Sequence, residues 1–346
     1  MSKLGDVREG HEIDEAKLHA WLREHVREGD DTPFTLRQFD AGQSNPTYLL
    51  EWPDQKAVLR KKPPGELLPK AHMVEREARV FAALAETDVP VPPMLGLCED
   101  PEVIGTTFFV MGFLEGRILY DARLPDAAPE VRSAMYLEMV TTLARLHGVD
   151  LEATGLTDYG RRGNYFERQI GTWTKQYRRA ETETIEGMER LIEWLPKHVP
   201  DDETTTLVHG DFRIDNLMWH PTEPRVIGVL DWELSTLGHP MADVAYSCLP
   251  FFMPTPHHPP IGDVAGHASG IPTMEQHIAA YCALTGRPGI PDMPFYLAFS
   301  MFRIAAIVQG VYKRGIQGNA SSTRALMMGA MVKEAAKAAW SMVESR

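Results

Sequence analysis

Leu207 to Glu233 reads LVHGDFRIDNLMWHPTEPRVIGVLDWE. It holds two apolar runs, Leu207-Val208 and Val226-Ile227-Gly228-Val229-Leu230. Each gives way to an acidic residue: Asp211 after His209-Gly210, and Asp231 directly. Short apolar runs bounded by Gly, Pro and Asp predict buried strands. Asn216 lies between them. Polar groups of this kind are costly near a core unless they are paired, so their position at strand ends points to ligation or catalysis.

Phosphoryl transfer from ATP needs a carboxylate near the attacking hydroxyl, oxygen ligands for magnesium, and groups that hold the phosphates. Asp211 and Asn216 are separated by four residues. That is the spacing of a kinase catalytic loop, in which the aspartate takes the hydroxyl proton and the asparagine binds metal. Asp231 ends the next strand, where a kinase places its second metal-binding carboxylate. Mg²⁺ favours such oxygen ligands, completed by water and phosphate. Alone, Asp211 reads as a turn residue; beside Asn216 and Asp231 the chemical reading takes precedence.

The rest of the chain narrows the classes. It has 346 residues, 44% of them apolar, and a net charge of -13. Length and composition suit one large domain or two lobes. Arg60-Lys61-Lys62 is a short basic cluster rather than a stripe, which argues against a nucleic-acid partner. Three dispersed cysteines, Cys98, Cys248 and Cys282, imply neither a zinc site nor a disulfide framework. The polar start, MSKLGDVREGHEIDE, lacks the apolar core of a signal peptide. No run approaches about 18 uninterrupted apolar residues, so no membrane partner is expected and the cytoplasm is the expected location. Oligomeric state is left open.

Periodicity predicts a first amphipathic helix over 13–26, strands over 34–39, 47–52 and 56–61, and a helix over 72–86. An apolar strand, TTFFVMGFLEG, follows. Helices are predicted over 132–147, 166–194 with breaks, 275–284, 294–314 and 323–343. The texture is a β-rich segment followed by a helical one, joined near 114–117. The boundaries read as 1–32 for an N-terminal helix and lead-in, 33–116 for a nucleotide-binding lobe, and 117–346 for a helical lobe carrying the catalytic loop at 207–233.

Taken in order, AGQSNPTYLL, AVLRKKPPG, VEREARVFAAL, LARLHGVD, LVHGDFRIDN, VLDWE and HPMADVAY resemble the aminoglycoside phosphotransferase/choline kinase-like family, most closely the subgroup also found fused to acyl-CoA dehydrogenases. The resemblance implies an α+β, protein-kinase-like two-lobe fold, with a small antiparallel sheet and one packed helix in the first lobe and a larger, mainly helical second lobe. It implies ATP and Mg²⁺ as cofactors. On it, Asp211 matches the catalytic aspartate, His209 supports the loop, and Arg213 is placed to touch phosphate or substrate. Asn216 and Asp231 match the metal ligands, and Asp243 matches a residue that braces the loop. Arg60 stands where a kinase has lysine, and Glu77 matches its helix partner. Alternation puts Val58, Arg60 and Lys62 on one side of the strand, so Lys61 is the poorer phosphate ligand. Gly42, Ser44 and Asn45 match the phosphate loop, which has one glycine. Met111 would border the adenine, with the backbones of Gly112 and Leu114 bonding it.

Other polar residues read more plainly. His257-His258 and His267 suit a solvated loop. Arg303, Lys313 and Arg314 suit a solvated helix face, although the family draws its acceptor pocket from this lobe. The expected activity is a small-molecule kinase acting on a hydroxyl group. The alternative is a catalytically weak nucleotide-binding regulatory module of the same fold. The acidic body suits a cationic acceptor; the acyl-CoA dehydrogenase association suggests a hydroxyacyl compound or its CoA thioester.

Overall fold

The computed structural model describes residues 4–40, 45–64, 72–253, 259–318 and 323–344. Gly42, Ser44, His257 and His258 lie outside the described residues. The chain divides into two compact units. The first spans Met1–Tyr120, Glu152–Leu156 and Ile214–Ser235; the second spans Asp121–Leu151, Thr157–Arg213 and Thr236–Arg346.

The first unit is built on strands β1 (Leu4–Gly5), β2 (Thr35–Phe39), β3 (Thr47–Glu51), β4 (Lys56–Lys61), β5 (Met94–Cys98) and β6 (Phe108–Gly112). They form an antiparallel sheet in the order β1-β2-β3-β4-β6-β5. Successive side chains on a strand face opposite ways, and both faces here are apolar. Tyr48, Leu50, Ala57, Leu59, Phe108 and Val110 share a core with Leu18, Trp21 and Leu22 of helix α1 (Glu15–His25). The Trp21 and Phe108 rings meet edge to face at 4.8 Å. Phe109, on the opposite face, packs at 5.8 Å on Phe81 of helix α2 (Val74–Leu84). Two helices therefore pack on the sheet, where the sequence predicted one. The segment before residue 33 is part of this core rather than a lead-in.

A short helix α3 (Pro101–Ile104) and strand β7 (Arg117–Ile118) complete the first span. Strand β8 (Thr206–Val208) follows in the second unit, and β9 (Leu217–Trp219) and β10 (Val226–Val229) return to the first. β7, β9 and β10 form a three-stranded sheet. The expected boundary at 116/117 follows chain order; packing cuts elsewhere. Arg117 pairs with Trp219 across the ladder, the Arg117 Nε donates to the His220 carbonyl at 2.9 Å, and the Val229 amide donates to the Pro90 carbonyl at 2.8 Å. These bonds hold 117–120 and 214–235 with the first unit.

The second unit is mainly helical: α4 (Pro129–His147), α5 (Tyr165–Ala180), α6 (Glu186–Trp194), α7 (Met241–Ser247), α8 (Met274–Thr285), α9 (Met293–Ile316) and α10 (Met328–Ser341). β8 pairs with β11 (Thr236–Gly238) in a two-stranded sheet. α9 is long and apolar enough to cross a membrane by length and composition, yet 67% of its most apolar window is buried. Phe295, Tyr296 and Phe299 of α9 surround Phe166 of α5 at 5.0–5.4 Å.

Phe108 is fully buried between β-sheet and α1. Phe108→Ala should destabilise the first unit by about 3–5 kcal/mol, read as a lowered urea midpoint.

Candidate active site

Alternation along β4 decides what each basic side chain can do. Arg60 emerges on the α2 face, where its Nε lies 3.4 Å from Glu77 Oε1 and its Nη2 donates to Asp231 Oδ1 at 2.9 Å. Its Nε is sealed from solvent without a hydrogen bond among the described residues, and the bond to Asp231 is made by Nη2. Lys61 points the other way: its Nζ bonds the carbonyls of His11 and Glu12 and lies over the Tyr48 ring. Lys62 pairs with Glu75 at 2.9 Å.

Glu77 is almost wholly buried, and its Oε2 has no hydrogen-bond partner among the described residues. Burial pushes its pKa up to about 7, although Arg60 opposes the shift. Asp231 and Glu233 push it further up and compete for the same guanidinium. Burial alone would lower the Arg60 pKa, but these three carboxylates raise it.

The pairing of β9 with β10 brings the two candidate metal ligands close. Leu217 stands opposite Val229, and the Leu230 amide donates to the Asn216 carbonyl at 2.9 Å. Asn216 is thus held across from the residue before Asp231. Gly228 makes room for Leu114, since a Cβ there would meet its Cδ1 at 2.3 Å. Asp231 has φ 64°, a left-handed conformation that is strained for a residue other than glycine. Such strain concentrates at functional sites. The turn is fixed by Trp232, whose Nε1 donates to the Val229 carbonyl at 3.0 Å. Aspartate and asparagine oxygens are hard donors, few in number, and fit Mg²⁺ rather than a soft metal.

In the second unit, β8 leads into His209-Gly210-Asp211. The fully buried Asp243 accepts the backbone N–H groups of His209 at 2.6 Å and Gly210 at 2.8 Å. Burial would raise its pKa, but His147, His209 and the Gly210 amide hold it below the usual carboxylate range. His147 lies 3.4 Å from Asp243 through Nε2 and 2.8 Å from the Tyr281 hydroxyl through Nδ1. His209 is fully buried and its Nδ1 accepts the Asp211 amide at 3.2 Å, which makes it a brace. The Tyr246 hydroxyl donates to Asp211 Oδ1 at 2.5 Å, while Arg213 Nε lies 3.4 Å from Oδ2. Burial and the Asp211 charge push the Tyr246 pKa far above its ordinary value, so the phenol stays a donor.

Three expectations change. Asn45 does not offer its side chain to phosphate: it is buried, its Nδ2 donates to Glu77 at 3.3 Å, and its Oδ1 lies 3.1 Å from His72. The Gly112 amide is committed to the Pro93 carbonyl at 2.8 Å, so only its carbonyl can serve a ligand. Met111 and Leu114 are half-buried beside it. Arg303 is not on a solvated face but 6% exposed. Tyr246 escaped the sequence reading, although it closes the motif HPMADVAY. A separate cavity of about 620 Å³ lies between α4, residues 266–272 and α8, with His267 and His277 in its wall; Asp211 and Tyr246 take no part in it.

A family model described as phosphotransferase enzyme family matches residues 35–284. Mouse acyl-CoA dehydrogenase family member 10 is 50% identical over 96% of this chain and 31% of its own length. Human acyl-CoA dehydrogenase family member 11 is 44% identical over 97% of this chain and 44% of its own. The chain thus spans less than half the length of these relatives. A solved protein from Ralstonia eutropha JMP134, provisionally named an aminoglycoside phosphotransferase, is 48% identical, with a TM-score of 0.89 over 96% of this chain and 99% of its own. Aminoglycoside phosphotransferase APH(4)-Ia, solved as a ternary complex with ADP and hygromycin B, has a TM-score of 0.61 at 18% identity over 94% of this chain and 99% of its own.

Glu77 has a folded-state pKa of about 7 against an ordinary 4.5. The folded form therefore holds the proton more tightly, and this stability is full below about pH 4.5 and lost as pH rises through 7. Glu77→Gln removes the titration. Between these pH values, the wild-type urea midpoint should fall relative to that of the variant; parallel profiles would refute the assignment.

Proposed function

The chain belongs to the phosphotransferase enzyme family, and from that premise we propose that it transfers the γ-phosphoryl group of ATP, with Mg²⁺, to a hydroxyl of a small molecule. The observation that carries the reading is the ladder between β9 and β10, which sets Asn216 beside the Asp231 turn at the end of a catalytic-loop motif. Small-molecule phosphotransfer is what this fold supports, and a protein of the same fold was solved with ADP.

In this reading Asn216 and Asp231 hold Mg²⁺, which supplies charge neutralisation at the phosphates. Arg60 presents Nη1 to phosphate while Glu77 and Asp231 fix its plane; arginine suits phosphate through its rigid fork. Met111, the Gly112 carbonyl and Leu114 border the adenine. Asp211 takes the proton of the acceptor hydroxyl as that oxygen bonds to the γ-phosphorus. The bond from phosphorus to the β,γ-bridging oxygen breaks, and ADP leaves. Tyr246 orients Asp211 by fixing Oδ1, and Arg213 stands at Oδ2. The relatives are named acyl-CoA dehydrogenase family members, and from that association we infer a hydroxyacyl compound or its CoA thioester as the acceptor. The second reading, nucleotide binding without transfer, draws on the Arg60–Asp231 pair, which engages one oxygen of a metal ligand.

Asp211→Asn keeps the shape and removes the base. It should lower kcat by about 10²–10⁴-fold with nucleotide affinity retained; undiminished transfer would remove Asp211 from the mechanism. Asp231→Ala should abolish the response of nucleotide affinity to Mg²⁺ in titration calorimetry. An equal Mg²⁺ response in wild type and variant would sink the metal assignment. Tight nucleotide binding by the wild type, without transfer to any acceptor, would favour the second reading.

A further inference from the structure

Arg303 is a buried cation without an acidic partner among the described residues. It sits on α9, 6% exposed, with its guanidinium carbon 5.4 Å from the Trp173 ring centre and 5.5 Å from that of Tyr246. Its Nε is sealed from solvent with no hydrogen-bond partner among the described residues. Stacking on two aromatic faces offsets part of the cost of burial. It does not satisfy the Nε–H, and a buried donor left without a hydrogen bond is expensive. A group kept at that cost inside a helical core is a candidate for binding something the protein itself lacks.

Its neighbour tells which end of the reaction it serves. The same Tyr246 whose ring lies against Arg303 donates its hydroxyl to Asp211. Arg213 stands at the other oxygen of Asp211. One guanidinium, Arg213, faces Asp211 directly and a second, Arg303, lies behind Tyr246, in a chain of net charge -13. A cation drawn by the acidic body would meet positive charge here.

We propose that Arg303 is a specificity-determining residue for the acceptor, donating hydrogen bonds to a carbonyl-type oxygen carried a few bonds from the hydroxyl that Asp211 deprotonates. The acceptor is then a hydroxy acid or its acyl derivative, and not an amino sugar or a quaternary amine. The inference rests on the phosphotransferase reading for the hydroxyl and on Arg303 for the oxygen. A carboxylate and a thioester carbonyl share this chemistry, and the assay separates them.

The test measures phosphoryl transfer from ATP to aliphatic hydroxy acids, their CoA thioesters, the corresponding diols, choline and kanamycin. Wild type should favour one of the first two classes. Arg303→Met, which keeps the length of the stem, should raise KM for that class about ten- to hundredfold, the worth of a charge-assisted hydrogen bond. It should leave the KM for ATP and the weak use of diols little changed. Arg303→Lys should recover part of the loss, having charge but no fork. A uniform loss on every acceptor, a raised KM for ATP alone, or a preference for choline or kanamycin would overturn the inference.

A binding readout keeps the two readings separable. Trp173 lies against Arg303, and Trp173→Phe identifies its emission among the seven tryptophans. Hydroxy acids or their thioesters should change that emission in wild type and not in Arg303→Met. If they do so without any phosphoryl transfer, the phosphotransferase reading falls and the Arg303 site stands. If transfer occurs while carbonyl-bearing probes neither change Trp173 emission nor depend on Arg303, the Arg303 site falls alone.

Discussion

One guanidinium organises the first unit. Arg60 joins β4 to α2 through Glu77 and to the end of β10 through Asp231. The sheet's alternation makes this possible, since Leu59 and Lys61 turn to the α1 face and leave Arg60 facing α2. Desolvating a charge on that face is unfavourable unless it is paired, and the two acids pair it from different elements. Asn45 then braces Glu77 from a third position, which explains why its carboxamide is spent within the protein.

The second unit solves a related problem with an anion. Asp243 is buried completely, and its oxygens take the consecutive backbone amides of His209 and Gly210. Those amides have no strand partner once β8 ends at Val208, so the carboxylate replaces a ladder. His147 and Tyr281 continue the chain of bonds into α4 and α8. The loop is held by its backbone, and the Asp211 side chain can be oriented separately, by Tyr246.

Much of this was legible because it is local. The spacing of Asp211, Asn216 and Asp231, the strand at 56–61, the helix after residue 72 and the alternation at Arg60 are patterns within a few dozen residues. The kinase-like α+β fold followed from their order. What stayed hidden depends on distant pairing. Tyr246 is a tyrosine on a short helix until its hydroxyl is seen at Asp211. Arg303 reads as solvent-facing, because a charged residue in a helix usually is; Trp173, far away in sequence, covers it. The unit boundary was missed because the hairpin of β9 and β10 returns to strands laid down a hundred residues earlier, and composition carries no trace of that return. Asn45 was misjudged because loop asparagines favour turns and exposed bonds, whereas this one is buried under Glu77.

The two units differ in local charge in a way that suits the two sides of a phosphoryl transfer. In the first, one guanidinium is shared by Glu77, Asp231 and Glu233, an excess of negative charge that only a cation can relieve. A divalent metal ion would relieve it, and oxygen donors of this kind suit Mg²⁺. In the second, Arg213 lies at Asp211 Oδ2, and Arg303 lies against the Tyr246 ring whose hydroxyl donates to Oδ1. That balance favours an oxygen-rich partner beside Asp211. The overall acidity of the chain is therefore a poor guide to the acceptor. Electrostatic interaction weakens with distance and is screened within about 10 Å in salt, so the few charges that touch the reacting groups outweigh the many on the surface.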